Sequence, residues 1–276
     1  MGGSRQTVGS FCLVKNEAEW IGAHLANLLP HLEEMVFYDG NSTDGTIEII
    51  TAFKMRHPHG HKIKLILDRD PLDLKDDYVQ MFNDCLRRLT TDLAFFCHPD
   101  MFIENPAMLK EISGDHPAYS CRMTSYAGEP DGRLYRINGR GEVWKNIYRL
   151  KPDLGAHYHG HYGAQNEDVY FSEITGDEHK HHGSDLSKYP YTVGDSLVRI
   201  HHFSDVRSMV RRLGRMKSCL LNQGYSKADA ERLAPTHPRV TLKDGMGFTF
   251  TECEYPAAMI DARMAATKLI AEAVHA

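Results

Sequence analysis

Four short apolar runs, each broken by a polar cluster, limit what this chain can fold into. The sharpest is Met35-Val36-Phe37-Tyr38, which ends in Asp39-Gly40-Asn41-Ser42-Thr43-Asp44-Gly45-Thr46. The run has the length of a buried strand, and the residues after it are turn formers. Ile47, Ile49, Ile50 and Phe53 then recur at helical spacing, with Asp44 or Thr43 placed to cap that helix. A strand thus carries the Asp39 carboxylate to a polar loop ahead of a helix. Val8 to Val14 ends similarly at Lys15-Asn16-Glu17, Ile63 to Leu67 at Asp68-Arg69-Asp70, and Asp92 to Cys97 at His98-Pro99-Asp100.

Helical patterns separate these runs. Ile21, Leu25 and Leu28 form one stripe, with Asn16 and Glu19 as a capping box and Pro30 as a stop. Val79, Phe82, Leu86 and Leu89 form another, and Asn105-Pro106 opens a short helix. Strands alternating with helices predict an α/β fold, a doubly wound, mostly parallel sheet with helices on both faces. The crossover rule places all four polar strand ends on one edge, where such sheets bind ligands.

After residue 114 the pattern changes. Ala118 to Thr124 and Glu142 to Leu150 read as strands joined by a loop rich in Gly and Arg, and 151–195 reads as a long irregular segment suited to a lid. Leu197 to Ile200 reads as a last strand ending at His201-His202. From Ser204 onward helices are expected, with Arg207, Arg211 and Arg215 four apart on one face, which is either simply solvated, the preferred reading, or placed to attract a polyanionic acceptor or DNA. The expected domains are a catalytic unit over 5–203 and a helical C-terminal extension over 204–276 packed on it.

Composition excludes several classes of function. A net charge of -5 gives no overall pull toward nucleic acid. No run is long and apolar enough for an integral membrane segment. The 6 cysteines form no CxxC pair, and four lie in apolar stretches as buried free thiols, which fits a cytoplasmic location.

The segment from Val14-Lys15-Asn16-Glu17 to Ile21, followed by Tyr38-Asp39-Gly40-Asn41-Ser42-Thr43-Asp44-Gly45-Thr46, resembles the opening of the family-two glycosyltransferases with the GT-A fold. The likeness runs through Asn83 to the fourth strand and covers roughly the first 110 residues. It implies transfer of a sugar from a nucleoside diphosphate-sugar donor to an acceptor hydroxyl, with inversion. The segment matching Lys15, Asn16 and Glu17 would line the base pocket, and Asp39 would hold the base or ribose. Asn41, Ser42, Arg69, Asp70, Asn83 and His98 would complete the donor site. A divalent cation would bridge the diphosphate, because the leaving group gains negative charge.

Where that family has Asp-x-Asp, this chain has His98-Pro99-Asp100. Asp100 keeps one carboxylate, and His98 brings an imidazole that favours Mn2+ over Mg2+. His202, after the last predicted strand, is the expected third metal ligand. The alternatives are that His98 bonds a neighbouring loop and that His202 is a core or capping histidine. Asp168 is the expected general base and Glu167 the second choice, with solvated loop acids as the plain alternative. Glu129 and Asp131 are weaker candidates. His157, His159 and His161 would share one face of an extended segment, where a zinc site or a sugar-binding loop are both open. The acceptor stays open among a glycan, a lipid-linked saccharide, a protein side chain and a modified base. A catalytically silent nucleotide- or glycan-binding module and a zinc hydrolase are the competing classes.

Overall fold

Side-chain alternation along β1 (Val8–Val14) explains why its sequence is apolar throughout. Cys12 and Val14 enter one hydrophobic cluster, while Phe11 enters another on the opposite face. A strand buried on both faces reads as a continuous apolar run. The computed structural model describes residues 6–67, 74–129, 132–138, 143–150, 154–158, 169–173, 194–207, 209–222, 224–242 and 249–274.

The first half follows the expected alternation. β1 is followed by α1 (Ala18–Leu28), β2 (Glu34–Asp39), α2 (Thr46–Arg56), β3 (Ile63–Leu67), α3 (Leu74–Leu86) and β4 (Leu93–Phe96). β1 pairs in parallel with β2 and β4, and β2 pairs in parallel with β3. Ile21 and Leu25 of α1 and Ile50 and Phe53 of α2 pack on one face. Met81, Phe82 and Cys85 of α3 pack on the other, against Phe11 and Val36. The doubly wound expectation therefore holds, with helices on both faces.

The second half extends the same sheet in mixed sense. β5 (Met101–Ile103), β6 (Ala118–Gly128), β7 (Leu134–Asn138) and β8 (Val143–Arg149) come first. β9 (Leu154–Tyr158) and β10 (Val169–Glu173) form a separate two-stranded sheet. β11 (Gly194–Val206) then runs parallel to β6 and antiparallel to β5. β8 bridges β4 and β6, antiparallel to both. The segment read as a Gly- and Arg-rich loop contains β7. A five-residue strand has too short a pattern to register, and of its two partners only β6 is near in sequence, β12 being distant.

After β11 the described residues form helices and one strand: α4 (Met209–Asn222), α5 (Lys227–Leu233), α6 (Pro238–Thr241), β12 (Thr249–Cys253) and α7 (Ala257–Val274). β12 pairs with β7. α7 lies against α1, where Gly22 permits the approach; a Cβ there would be 3.4 Å from the Cβ of Ala266. Arg263 of α7 covers the Trp20 ring at 4.8 Å, and Trp20 stacks on Phe203 of β11. Among the described residues, Cys12, Cys85, Cys97 and Cys121 are buried free thiols, as expected. No helix among those residues is long and apolar enough to cross a membrane.

His24 of α1 is fully buried, with Nδ1 3.3 Å from the Met101 carbonyl oxygen and Nε2 unpartnered among the described residues. Burial pushes its pKa down to about 4, only partly opposed by the Met101 carbonyl and Asp100. The unfolded chain takes up this proton near pH 6.5, the folded chain near pH 4. Between those values the unfolded state holds more protons, so stability falls as pH drops through the window, by about 3 kcal/mol in all. Urea midpoints at several pH values should decline in this range, and the decline should be shallower in His24→Leu. Identical slopes for the two proteins would remove His24 as the cause.

Candidate functional site

The parallel register brings the strand exits together. Val14 is level with Asp39, and Asp39 with Leu67. β4 joins the same edge beside β1, with Phe96 level with Phe11. Lys15-Asn16-Glu17, Asp39 and His98-Pro99-Asp100 therefore leave the sheet on one side. Arg69 and Asp70 belong to this edge in sequence but lie outside the described residues.

The loops after β1 and β2 are pinned to each other. The Asn16 backbone N–H donates to Ser42 Oγ at 2.9 Å, and the Thr43 N–H donates to Asn16 Oδ1 at 2.8 Å. The Glu17 N–H donates to Thr46 Oγ1 at 2.8 Å, and the Ala18 N–H to Asp44 Oδ2 at 3.1 Å. Asn16 and Asn41 both have left-handed backbones, φ 57° and 61°, which asparagine tolerates better than most residues. These contacts replace the cap expected at α1. α1 starts after Glu17 with no side-chain cap, so Asn16 and Glu19 form no capping box; α2 starts after Gly45, and Asp44 Oδ1 accepts from the N–H of its first residue, Thr46, at 3.2 Å. Asn16 spends its side chain on the neighbouring loop.

Asp39 stands behind this latch and is 1% exposed. Its Oδ2 accepts from the Ser42 N–H at 2.9 Å, while its Oδ1 is buried without a hydrogen-bond partner among the described residues. A buried carboxylate oxygen without a donor is costly, and a bound ligand that supplies one removes the cost. Lys15 and Asn41 are exposed at the mouth of the same loops. Asn83 is half-buried on α3, next to Phe82, whose ring meets Phe96 at 5.3 Å.

Asp100, 4% exposed, is the centre of a second group. The His202 Nε2 lies 3.5 Å from its Oδ1, and the Arg207 Nη2 3.1 Å from its Oδ2. The same Nη2 is 3.5 Å from Glu17 Oε1. Burial alone would raise the Asp100 pKa, but His202, Arg207 and His98 outweigh it and hold the carboxyl well below the usual carboxylate range. Burial likewise works against the Arg207 charge, and Glu17 and Asp100 more than compensate. β11 does not end at the two histidines but continues to Val206, so alternation turns them apart. His202 meets Asp100, while His201 Nδ1 is 2.9 Å from the Tyr126 hydroxyl.

Arg207 departs from its expected place on a solvated helical face. It lies at the end of β11, two residues before α4, and its side chain is 13% exposed. Its spacing from Arg211 and Arg215 matched a helix and hid it. Only the pairing of β11 beside β5 and β6 carries it to the strand exits. Arg212 is also buried; it donates to the Gly128 carbonyl at 2.7 Å and to Glu129 Oε1 at 2.9 Å, so Glu129 serves this contact.

The expected metal set His98, Asp100 and His202 comes together only as a pair. Among the described residues no three His, Cys, Asp or Glu side chains converge to hold an ion. The His98 ring lies edge-on to Phe96 at 4.6 Å. Asp100 Oδ1 and His202 Nε2, 3.5 Å apart, fit two corners of a cation's coordination shell, with one hard oxygen and one imidazole.

Asp168 and Glu167 lie outside the described residues, as do Asp131, His159 and His161. The His157 backbone pairs with Tyr170 between β9 and β10. His57 and His59 contact each other, with the His59 N–H donating to His57 Nδ1 at 3.1 Å.

No protein-family model matches the chain, and no curated protein matches it either. Among solved structures it is similar to the mannosyltransferase PcManGT from Pyrobaculum calidifontis in complex with GDP-Man and Mn2+. That match has 14% identity over 98% of this chain and 80% of that one, with a TM-score of 0.48. It is also similar to S. aureus TarS in complex with UDP, at 17% identity over 46% of this chain, with a TM-score of 0.35. The chain spans 37% of the length of that structure. A third similarity is to glucosyl-3-phosphoglycerate synthase from Mycobacterium tuberculosis with Mn2+, UDP and glucosyl-3-phosphoglycerate, at 15% identity over 44% of each chain and a TM-score of 0.32. At these scores the likeness is distant, and the site is read from its own residues.

Proposed function

We propose that the protein is a glycosyltransferase that moves a sugar from a nucleoside diphosphate-sugar to an acceptor hydroxyl. The observation that carries this reading is the unpaired, buried Asp39 Oδ1 at the same sheet edge as the Asp100–His202 pair. An alcohol or ring N–H of a nucleoside supplies the donor that Asp39 lacks. The two Asn16-linked loops hold that carboxylate in place before the ligand arrives, so little ordering is needed on binding. The motifs running from Lys15 to Thr46 support the same assignment.

Asp100 and His202 would hold a divalent cation, Mn2+ in preference to Mg2+ because one ligand is an imidazole. When bound, such an ion neutralises the charge that develops on the leaving diphosphate. In the transfer the acceptor oxygen bonds to the anomeric carbon as the bond from that carbon to the diphosphate oxygen breaks. The bond's electrons leave with the diphosphate, and the acceptor proton passes to a carboxylate, for which Asp168 is the sequence-based choice and Glu167 the second. Inversion follows from a single displacement. The catalytic unit is assigned to 5–203 with 204–276 as its extension, and the cell interior is the proposed location.

A thermal-shift screen of UDP, GDP, CDP and ADP, each with and without manganese, tests the reading. One nucleoside diphosphate should raise the melting temperature, more so with the ion. No shift with any of them would reject it. Binding without turnover of the matching nucleotide-sugar would instead identify a silent binding module.

A further inference from the structure

Arg207 and Arg239, their side chains each 13% exposed, are held in different ways. Arg239 grips Asp205 with both arms of its fork, Nε to Oδ2 and Nη2 to Oδ1, each at 2.7 Å. This is the geometry of a structural pair, in which one guanidinium edge meets one carboxylate. Arg207 makes no such pairing. Its Nη2 alone is shared between Asp100 at 3.1 Å and Glu17 at 3.5 Å, and its Nε reaches the Ser204 carbonyl at 3.3 Å. Its Nη1 makes no hydrogen bond among the described residues.

The position of Arg207 is fixed from several sides. Its backbone N–H donates to the Gly128 carbonyl at 3.0 Å, and its own carbonyl accepts from Arg212 Nη1. Its guanidinium thus stands between the exit of β1, which carries Glu17, and the exit of β4, which carries Asp100. A nucleotide anchored at Asp39 would find this guanidinium on the same sheet edge. The neighbouring segment His98-Pro99-Asp100 brings one carboxylate, and Arg207 sets a permanent positive charge beside it.

We infer that Arg207 is a built-in cation of the diphosphate site and binds the phosphate oxygens directly through its unused Nη1 edge. The inference rests on the nucleotide reading of the site. Arg suits the task because its charge is permanent and its planar fork matches phosphate oxygens. Nucleoside diphosphate binding should therefore persist when divalent ions are removed.

The test is calorimetric titration of UDP, GDP, uridine and guanosine into the full chain in EDTA, for the native protein, Arg207→Gln and Arg207→Lys. The native protein should bind its diphosphate more tightly than the matching nucleoside. Arg207→Gln should weaken the diphosphate about tenfold or more and leave the nucleoside unchanged. Arg207→Lys keeps the charge between Glu17 and Asp100, so it serves if the Gln variant fails to fold; it should still show a selective loss of the diphosphate. Diphosphate affinity in the folded variants equal to that of the native protein overturns the inference and leaves the site reading intact. So does native diphosphate binding that appears only with manganese. No nucleotide binding by the native protein, with or without manganese, overturns both.

Discussion

Asp39→Asn should weaken nucleoside diphosphate binding about 10- to 150-fold while leaving the fold as stable as before or more so. The two effects have one cause. The Ser42 N–H already satisfies Oδ2, and the amide oxygen of asparagine can accept that bond in its place. The second oxygen is buried and unpartnered among the described residues. Removing its charge relieves a desolvation penalty in the free protein. In the complex the same change removes a charge-assisted hydrogen bond worth about 1.5–3 kcal/mol, which sets the range of the affinity loss. Titration of the best nucleotide from the thermal screen, beside chemical denaturation of both proteins, checks the pair of outcomes. A variant that loses stability but keeps affinity would make Asp39 a structural residue.

The largest effect on stability is expected at Asp205. It lies at the end of β11, and Arg239 on α6 holds it bidentately. The Asp205 side chain is 5% exposed and the Arg239 side chain 13%. A small cluster of Met216, Leu220, Ala230, Ala234 and Val240 packs the helices of this region, and Arg239 precedes Val240 directly. Asp205→Ala leaves the guanidinium buried without its counter-charge, which costs about 3–5 kcal/mol. That is a large share of the total stability of an ordinary domain, about 5–15 kcal/mol. The double variant Asp205→Leu with Arg239→Met should recover most of the loss, because apolar replacement of both partners removes the stranded charge. Denaturant midpoints for the three proteins decide it. If the single variant loses less than about 1 kcal/mol, the pair is a surface-type contact in solution.

Site residues divided by how far along the chain their partners lie. Asp39 was legible because strand, turn and helix follow one another within a dozen residues around it. The α1 capping box was misread at the same place because the Asn16 N–H goes to Ser42 and the Asn16 Oδ1 to the Thr43 N–H, the two groups a local cap would use. His202 and His201 were separated correctly by strand alternation, although the strand proved longer than its apolar run. Its length comes from pairing with β5 and β6 on its two sides, which no local pattern encodes. Arg207 was invisible for a related reason. Its spacing from two later arginines fits a helix, and its real partners, Glu17 and Asp100, are supplied by β1 and β4.

The sequence by itself determined the doubly wound half of this protein: which runs are strands, that helices cover both faces of the sheet, and that the parallel strands end on one edge. Apolar periodicity and turn chemistry are local, and the crossover rule converts them into topology without further information. Tertiary structure alone decided which of those polar groups meet. It joined Glu17, Asp100, His202 and Arg207 into one polar group, left one oxygen of Asp39 unsatisfied, and brought β12 onto β7 and α7 onto α1. Groups that lie far apart in the chain couple only after the sheet has fixed their distances, here 3.1 to 3.5 Å.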